Sequence, residues 1–225
     1  MHIWVGIDLD SQLTDVRERA SAVERELGLA CSCYTLPMHV SLKMPFEMEG
    51  SVGDAASLDG AGCGGSSGAG CGGSFVAERV SSAAEPYWIC DGGRAVRGRA
   101  AAVVRELAAY FAAQTPFSIC PLGVENEGGI LWIRMERSDR LDRLHDELNG
   151  MLAERYGVGL HEYDTDYKFH TTLFMDSDPD MIAEAEARLG SVELPRELRV
   201  SRFVIGSSET GALGTYSVLK TVCIE

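Results

Sequence analysis

Apolar residues recur at spacings of three and four along four stretches of the chain, which predicts four amphipathic helices. We place them at Ser11–Leu27, at Arg97–Ala113, from Ser138 to just before Gly157, and from Asp178-Pro179 to Gly190. The Asp-Pro pair is a typical helix start, because aspartate caps the first turn and proline fits the first helical position.

Strand-like apolar runs lie between and after these helices. They are Ile3–Leu9, Val40–Met44, Gly129–Met135, Phe169–Met175, Leu198–Gly206 and Thr215–Ile224. The last two runs predict a hairpin with Gly211 and Gly214 in its turn. Because helices and strands are mixed along the chain, the predicted fold class is α/β or α+β.

The order of these elements repeats once. A strand at Ile3 is followed by a helix and then by the strand of His39, and a strand at Ile130 is followed by a helix and then by the strand of His170. The two intervals are similar, 36 residues (39 − 3) and 40 residues (170 − 130). The repeat predicts a duplicated, two-lobed fold with pseudo-two-fold symmetry, in which each β-α-β unit brings a histidine to the start of its last strand.

The segment Gly50–Ser74 consists mainly of glycine, serine, alanine and aspartate. It offers too little apolar surface to offset the entropy lost on ordering, so we expect a mobile loop. A tolerated insertion is favoured over an active-site lid. We therefore predict one domain over residues 1–225 with this flexible insertion.

The formal net charge of the 225 residues is −14. Such a field repels a long nucleic-acid duplex, since phosphate contacts dominate that affinity, so no DNA duplex is expected as a partner. A small phosphorylated ligand is still allowed. No run approaches the roughly 20 apolar residues of a membrane helix, and no signal peptide is visible. We expect a soluble, cytoplasmic, monomeric protein without a membrane partner.

Seven cysteines are present, and none has the C-x-x-C spacing of a structural zinc site. A soft-metal site can be imagined from Cys31, Cys33, Cys63 and Cys71. Reduced thiols in a cytoplasmic chain are the favoured interpretation. We expect neither a metal nor another cofactor.

Two four-residue motifs share the pattern histidine–x–hydroxyl–apolar: His39-Val40-Ser41-Leu42 and His170-Thr171-Thr172-Leu173. Side chains alternate along a strand, so each motif presents an imidazole and a hydroxyl group on one face. Neutral and protonated histidine are both accessible near pH 7, which suits one imidazole as base and the other as acid in phosphodiester hydrolysis. The hydroxyl groups of Ser41 and Thr172 are predicted to donate to the phosphate oxygens.

Four further residues carry weaker signals. Lys43, two residues beyond Ser41, is predicted to share its face, where it either binds a substrate phosphate or is a solvated lysine at the rim. His145 lies in the third predicted helix and is expected at the surface. Trp4 and Trp132 lie on matching strands and are expected to pack the cores of the lobes, with base stacking as the alternative.

The two motifs resemble the paired H-x-[ST]-x motifs of the 2H phosphoesterase superfamily, which includes bacterial 2′-5′ RNA ligases and cyclic phosphodiesterases. The order of strands, helices and motifs agrees over most of the chain. This resemblance implies a bilobal fold with mainly antiparallel sheets around a central cleft. It also implies His39 and His170 as acid and base, and a 2′,3′-cyclic phosphate or 2′-5′ linked substrate in RNA ends or small nucleotides.

Two other interpretations remain open. In the first, the chain is a catalytically silent module that binds nucleotides or RNA ends. In the second, it is a metalloprotein with His39 and His170 as ligands. The sequence also leaves open which histidine is the acid, and whether hydrolysis or ligation is the reaction.

Overall fold

The computed structural model describes residues 1–28, 36–54, 87–175, 178–212 and 214–225. These ranges contain four α-helices, which are α1 (Thr14–Leu27), α2 (Arg99–Ala112), α3 (Asp139–Tyr156) and α4 (Pro179–Leu189). They also contain twelve strands, which are β1 (His2–Asp8), β2 (His39–Glu47), β3 (Ser51–Asp54), β4 (Tyr87–Ile89), β5 (Arg94–Arg97), β6 (Phe117–Ile119), β7 (Pro121–Glu127), β8 (Ile130–Met135), β9 (His170–Met175), β10 (Leu198–Val200), β11 (Arg202–Ser208) and β12 (Ser217–Cys223).

All four predicted helices are confirmed, and their ends follow local signals. The Ser138 side chain caps α3 by accepting a hydrogen bond from the Leu141 amide. Gly157 ends the same helix at φ 70°, a left-handed conformation that glycine adopts without steric cost. Pro179 is the first helical residue of α4, after the Asp178 cap. Helix positions were therefore readable from periodicity and caps alone.

The strands form antiparallel sheets throughout the described ranges. The first main sheet has the order β12-β11-β1-β2 and the second has the order β7-β8-β9. Smaller sheets have the orders β3-β5-β4 and β10-β6. The predicted C-terminal hairpin is present as β11 and β12, whereas the run that begins at Leu198 is divided into β10 and β11.

Part of the predicted mobile loop is ordered, and that part of the prediction is wrong. Residues Ser51–Asp54 form β3, which pairs with β5. Val52 lies opposite Val96, a fully buried residue, so pairing with a packed strand orders a segment that has little apolar surface of its own. The remainder of the loop, from residue 55 to residue 74, lies outside the described residues.

The two β-α-β units each end on a strand that begins at its histidine, β2 at His39 and β9 at His170. β2 pairs with β1 in the first main sheet, β9 pairs with β8 in the second, and β2 contacts β9. One hydrophobic cluster extends through both main sheets and all four helices. The two histidine strands therefore meet where the main sheets adjoin.

Within the ranges given above, no helix combines the length and the apolar composition that a membrane span requires.

Candidate active site

His39 is half-buried at the first position of β2. Its Nδ1 lies 2.7 Å from the carbonyl oxygen of Pro37. Because a carbonyl oxygen only accepts, Nδ1 must carry a hydrogen and donate it. The other ring nitrogen, Nε2, is thereby left to exchange a proton with a ligand.

His170 has the same arrangement at the first position of β9. Its Nδ1 lies 2.6 Å from the carbonyl oxygen of Lys168, again the residue two positions earlier. Both motifs therefore fix the same tautomer by a short backbone contact, and both leave Nε2 outside that contact.

Burial lowers the pKa of both imidazoles. The pKa of His39 falls to about 4, mainly through burial, against the opposing hydrogen bond with Pro37 and with a further contribution from the positive charge of His170. The pKa of His170 is also lowered by burial, while its bond with Lys168 and the negative charge of Glu127 limit the shift. Since the charge of one imidazole acts on the other, the two histidines form one electrostatic site.

Ser41 and Thr172 lie two residues after the histidines and are half-buried like them, whereas Val40 and Thr171 between them face the core. The predicted alternation is thus present on both strands. Ser41 Oγ accepts a hydrogen bond of 3.0 Å from Trp4 Nε1. The two motifs therefore place an imidazole and a hydroxyl group on one face of each histidine strand.

Trp4 and Trp132 are buried among the core residues, as predicted, and each also lies against one of the two histidines. The Trp4 ring contacts His39 and the Trp132 ring contacts His170, each with ring centroids 4.3 Å apart. Trp4 belongs to a small cluster with Val204 that is separate from the main core. Both indoles are at least nine-tenths buried, so each histidine ring packs against a buried aromatic side chain.

The two tryptophans occupy different positions relative to the hydroxyl residues. Trp132 is directly opposite Thr172 in the β8–β9 pairing, whereas Gly6 is opposite Ser41 and Trp4 lies two residues farther along β1. Among the described residues, Trp132 Nε1 is buried without a hydrogen-bond partner. The apparent sequence symmetry of the two strands therefore does not extend to their indole contacts.

The prediction that Lys43 shares a face with Ser41 is wrong. Gly6 pairs with Ser41 and Val5 pairs with Lys43, so Leu42 is an extra residue that forms a β-bulge. A one-residue offset reverses the alternation of the side chains that follow it. Lys43 is consequently turned away from the motif face and is only 1% exposed.

The same bulge occurs in the second unit. Trp132 pairs with Thr172 and Leu131 pairs with Phe174, which leaves Leu173 as the extra residue. Phe174 then takes the position that corresponds to Lys43 and packs in the hydrophobic core. Lys43 is therefore a cation at a position where the second unit has an apolar residue.

The Lys43 ammonium group is held by protein acceptors. Its Nζ donates to Asp164 Oδ2 in a buried ion pair and to the carbonyl oxygen of Gly159 at 3.2 Å. Asp164 also accepts the backbone N–H groups of His161 at 2.7 Å and Met44 at 3.3 Å. This geometry makes Lys43 a structural cation, and we do not assign it the predicted phosphate contact.

Sequence reasoning missed the residues that surround this ion pair. His145, expected at the surface, is 6% exposed, with its Nε2 3.8 Å from Asp164 Oδ1. It stacks on Tyr167, with centroids 4.6 Å apart, and the Tyr167 hydroxyl donates to the Ser41 carbonyl at 3.0 Å. Asp164 and Tyr167 stand in a polar stretch without a local signal. Only their long-range contacts reveal that they support β2.

A cavity of about 860 Å³ borders Lys43 and Phe46, and neither His39 nor His170 lines it. Across the part of the chain that the structure describes, no group of three or more His, Cys, Asp or Glu side chains is placed to hold a metal ion. The imagined soft-metal site of Cys31, Cys33, Cys63 and Cys71 lies outside the described residues.

One family model and several solved structures match this chain. The model of the 2′-5′ RNA ligase superfamily matches residues 10–212. The crystal structure of E. coli LigT complexed with 3′-AMP superposes with a TM-score of 0.50 at 14% identity, over 99% of this chain and 97% of that one. A solved phosphoesterase gives 0.49 at 15% identity, and a Thermus thermophilus protein gives 0.47 at 14%, each over 99% of this chain and 97% of the other. No curated protein matches at a significant level.

Proposed function

The chain belongs to the 2′-5′ RNA ligase superfamily, and from this premise we propose that it is a phosphoesterase acting on 2′,3′-cyclic phosphate or 2′-5′ phosphodiester linkages of small nucleotides or RNA ends. His39 and His170 serve as the acid–base pair. Ser41 and Thr172 bind the phosphate oxygens.

One observation carries this proposal. Two imidazoles on contacting strands each donate Nδ1–H to a backbone carbonyl and keep Nε2 for proton exchange. The charge of His170 acts on His39, so protonation of one ring disfavours protonation of the other. A pair that holds a single proton contains both the base and the acid that phosphoester hydrolysis needs.

The reaction on a 2′,3′-cyclic phosphate follows from this arrangement. The neutral Nε2 of one histidine removes a proton from water as the water oxygen forms a bond to phosphorus. The bond between phosphorus and one ribose oxygen breaks, and the protonated Nε2 of the other histidine donates its proton to that oxygen. One water is consumed, a phosphate monoester is formed, and the two histidines exchange protonation states, which solvent restores.

The same chemistry accommodates ligation when the attacking group is a ribose hydroxyl of a second RNA end in place of water. Negative charge accumulates on the non-bridging oxygens in either case. Donors fixed before the reaction stabilise this charge without reorganising, which is the role we assign to the Ser41 and Thr172 hydroxyl groups.

A small substrate suits the chain better than a long RNA. Its net charge of −14 disfavours an extended polyanion but leaves room for one phosphate bound by local donors. E. coli LigT, a protein that shares this fold, was crystallised with the mononucleotide 3′-AMP. We therefore place nucleoside 2′,3′-cyclic monophosphates first among the candidate substrates.

The test is turnover of the four nucleoside 2′,3′-cyclic phosphates by purified protein, with and without EDTA. His39→Ala and His170→Ala should each lose about 10²–10⁴-fold in rate, the usual contribution of general acid–base assistance. His161→Ala is the matched control, because this histidine is exposed and contacts neither imidazole. Wild-type turnover in either active-site variant contradicts the two-histidine mechanism.

The same assay separates the alternatives. Loss of turnover on chelation points to the metalloprotein interpretation. Nucleotide binding without turnover, measured by calorimetry, points to the silent binding module. Ser41→Ala and Thr172→Ala should lose less activity than the histidine variants, about 10-fold to 10³-fold, because one oxyanion donor among several is removed in each.

A further inference from the structure

Trp4 restricts the direction in which the Ser41 hydroxyl group can donate. A tryptophan N–H only donates, so Ser41 Oγ is the acceptor in their 3.0 Å hydrogen bond. Serine has one hydroxyl hydrogen and two lone pairs. With one lone pair engaged by the indole, the hydroxyl hydrogen and the second lone pair are confined to the directions away from the indole nitrogen.

The indole itself is held rigidly by the sheet beneath it. A Cβ atom on Gly206 would lie 2.7 Å from Trp4 Cε3, and one on Gly6 would lie 2.9 Å from Trp4 Cζ2. Val204 and Tyr216 pack against the ring, which is 3% exposed. The indole thus lies closely against two glycines, where any larger residue would meet the ring.

The same indole fixes the imidazole next to that hydroxyl. Its ring meets the His39 ring at an interplanar angle of 69°, with the centroids 4.3 Å apart. The Pro37 carbonyl oxygen accepts a hydrogen bond from Nδ1 of the same imidazole. One buried side chain therefore orients both members of the first motif.

The second motif lacks this arrangement. Trp132 contacts the His170 ring, but its Nε1 has no hydrogen-bond partner within the described ranges. The Thr172 hydroxyl is consequently not committed by an indole donor. The difference follows from the register, which places Trp132 directly opposite Thr172 and Trp4 two residues away from the position opposite Ser41.

We propose that Trp4 is a positioning residue, which uses its indole N–H to aim the Ser41 hydroxyl hydrogen at the phosphoryl oxygen of the substrate. The inference rests on the proposed function for its chemistry. Ser41 then has its hydroxyl hydrogen oriented before the substrate arrives, whereas no indole donor restricts the direction of the Thr172 hydroxyl group. The Ser41 and Thr172 hydroxyl groups therefore contribute unequally to the stabilisation of the phosphoryl oxygens.

A double-mutant cycle tests the coupling. Trp4→Phe keeps an aromatic ring but removes the N–H, and we expect kcat to fall about tenfold with KM changed less than about twofold, since the lost donor acts on charge that develops in the transition state. In the Ser41→Ala background the same change should cost at most about threefold, the loss that the smaller ring beside His39 causes by itself. Additive losses would show that Trp4 acts by packing alone and would overturn the proposal.

Trp132→Phe is the matched control. It makes the same ring change beside the other histidine but removes an N–H that has no partner. We expect a loss of at most about threefold, arising from the smaller ring. An equal loss in Trp4→Phe and Trp132→Phe contradicts a role for the hydrogen bond.

A spectroscopic readout is independent of turnover. The chain has three tryptophans, so ¹⁵N NMR shows three indole N–H signals, which the three Trp→Phe variants assign. Ser41→Ala should shift the Trp4 signal upfield and leave that of Trp132 in place. An unmoved Trp4 signal refutes the contact. Should the wild type lack turnover, the proposed function fails, whereas the contact between Trp4 and Ser41 is still tested by the position of this signal.

Discussion

Lys43→Met separates two roles for a lysine that follows the first motif. The ammonium group lies in a buried pair with Asp164, and their side chains are 2% and 0% exposed. Methionine has a similar length and no charge. If Lys43 bound a substrate phosphate, its loss would raise KM and leave stability nearly unchanged. If it is the structural cation described here, the main effect is on the free energy of unfolding.

The magnitude follows from the burial of the carboxylate. Burial raises the pKa of Asp164, but Lys43 and the backbone amides of His161 and Met44 outweigh this and hold the pKa below its ordinary value. Removing the cation leaves a buried charge without a counter-ion, which costs about 3–5 kcal/mol. For a chain of this size each kcal/mol moves the melting temperature by about 2–4 °C, so the expected decrease is about 6–20 °C.

The assay is thermal and urea unfolding followed by circular dichroism at pH 7 and pH 5. A carboxylate whose folded pKa is lowered stabilises the protein above its unfolded pKa, and that stability is lost as the pH falls through the folded pKa. In Lys43→Met burial dominates and raises the pKa of Asp164. The loss in the free energy of unfolding is then present at neutral pH and decreases on acidification. The difference in this free energy between Lys43→Met and wild type should therefore be smaller at pH 5 than at pH 7.

Two further variants make the result decisive. Lys220→Met removes a lysine from the exposed pair with Asp91, and we expect a loss below about 1 kcal/mol. Lys43→Met/Asp164→Asn removes both buried charges and should recover at least half of the loss caused by Lys43→Met. A Lys43→Met protein as stable as Lys220→Met, with KM raised at least tenfold, would refute the structural role.

Two more predictions follow from the same geometry. Because burial lowers the pKa of His39 and His170 and the pair must hold one proton, kcat/KM should be highest below about pH 6.5. Glu127→Gln removes a negative charge that raises the pKa of His170, so the alkaline limb of the pH–rate profile should move to lower pH. An unmoved limb contradicts this prediction. Gly206→Ala should destabilise the protein by about 1–3 kcal/mol in urea unfolding and reduce turnover, because its Cβ would clash with Trp4; wild-type stability and turnover would show that the packing of Trp4 against Gly206 tolerates a methyl group.

Local patterns account for the elements that the sequence predicted correctly. Helices α1–α4 follow a three-and-four periodicity that needs no knowledge of distant contacts. Strands β3 to β7 were missed. β3 to β6 have only three or four residues each and β7 has seven, and all of them form because a neighbouring strand supplies their hydrogen bonds.

The sequence by itself determined the two motif strands, because a period of two places His39 with Ser41 and His170 with Thr172 whatever lies around them. Only the tertiary structure decided the side on which Lys43 lies, because a bulge is a property of two paired strands, and here it reverses the side chain that follows Leu42. The same holds for the indoles. Trp4 Nε1 donates to Ser41, and Trp132 Nε1 has no hydrogen-bond partner among the described residues, since cross-strand register, which no single strand encodes, sets what each ring meets.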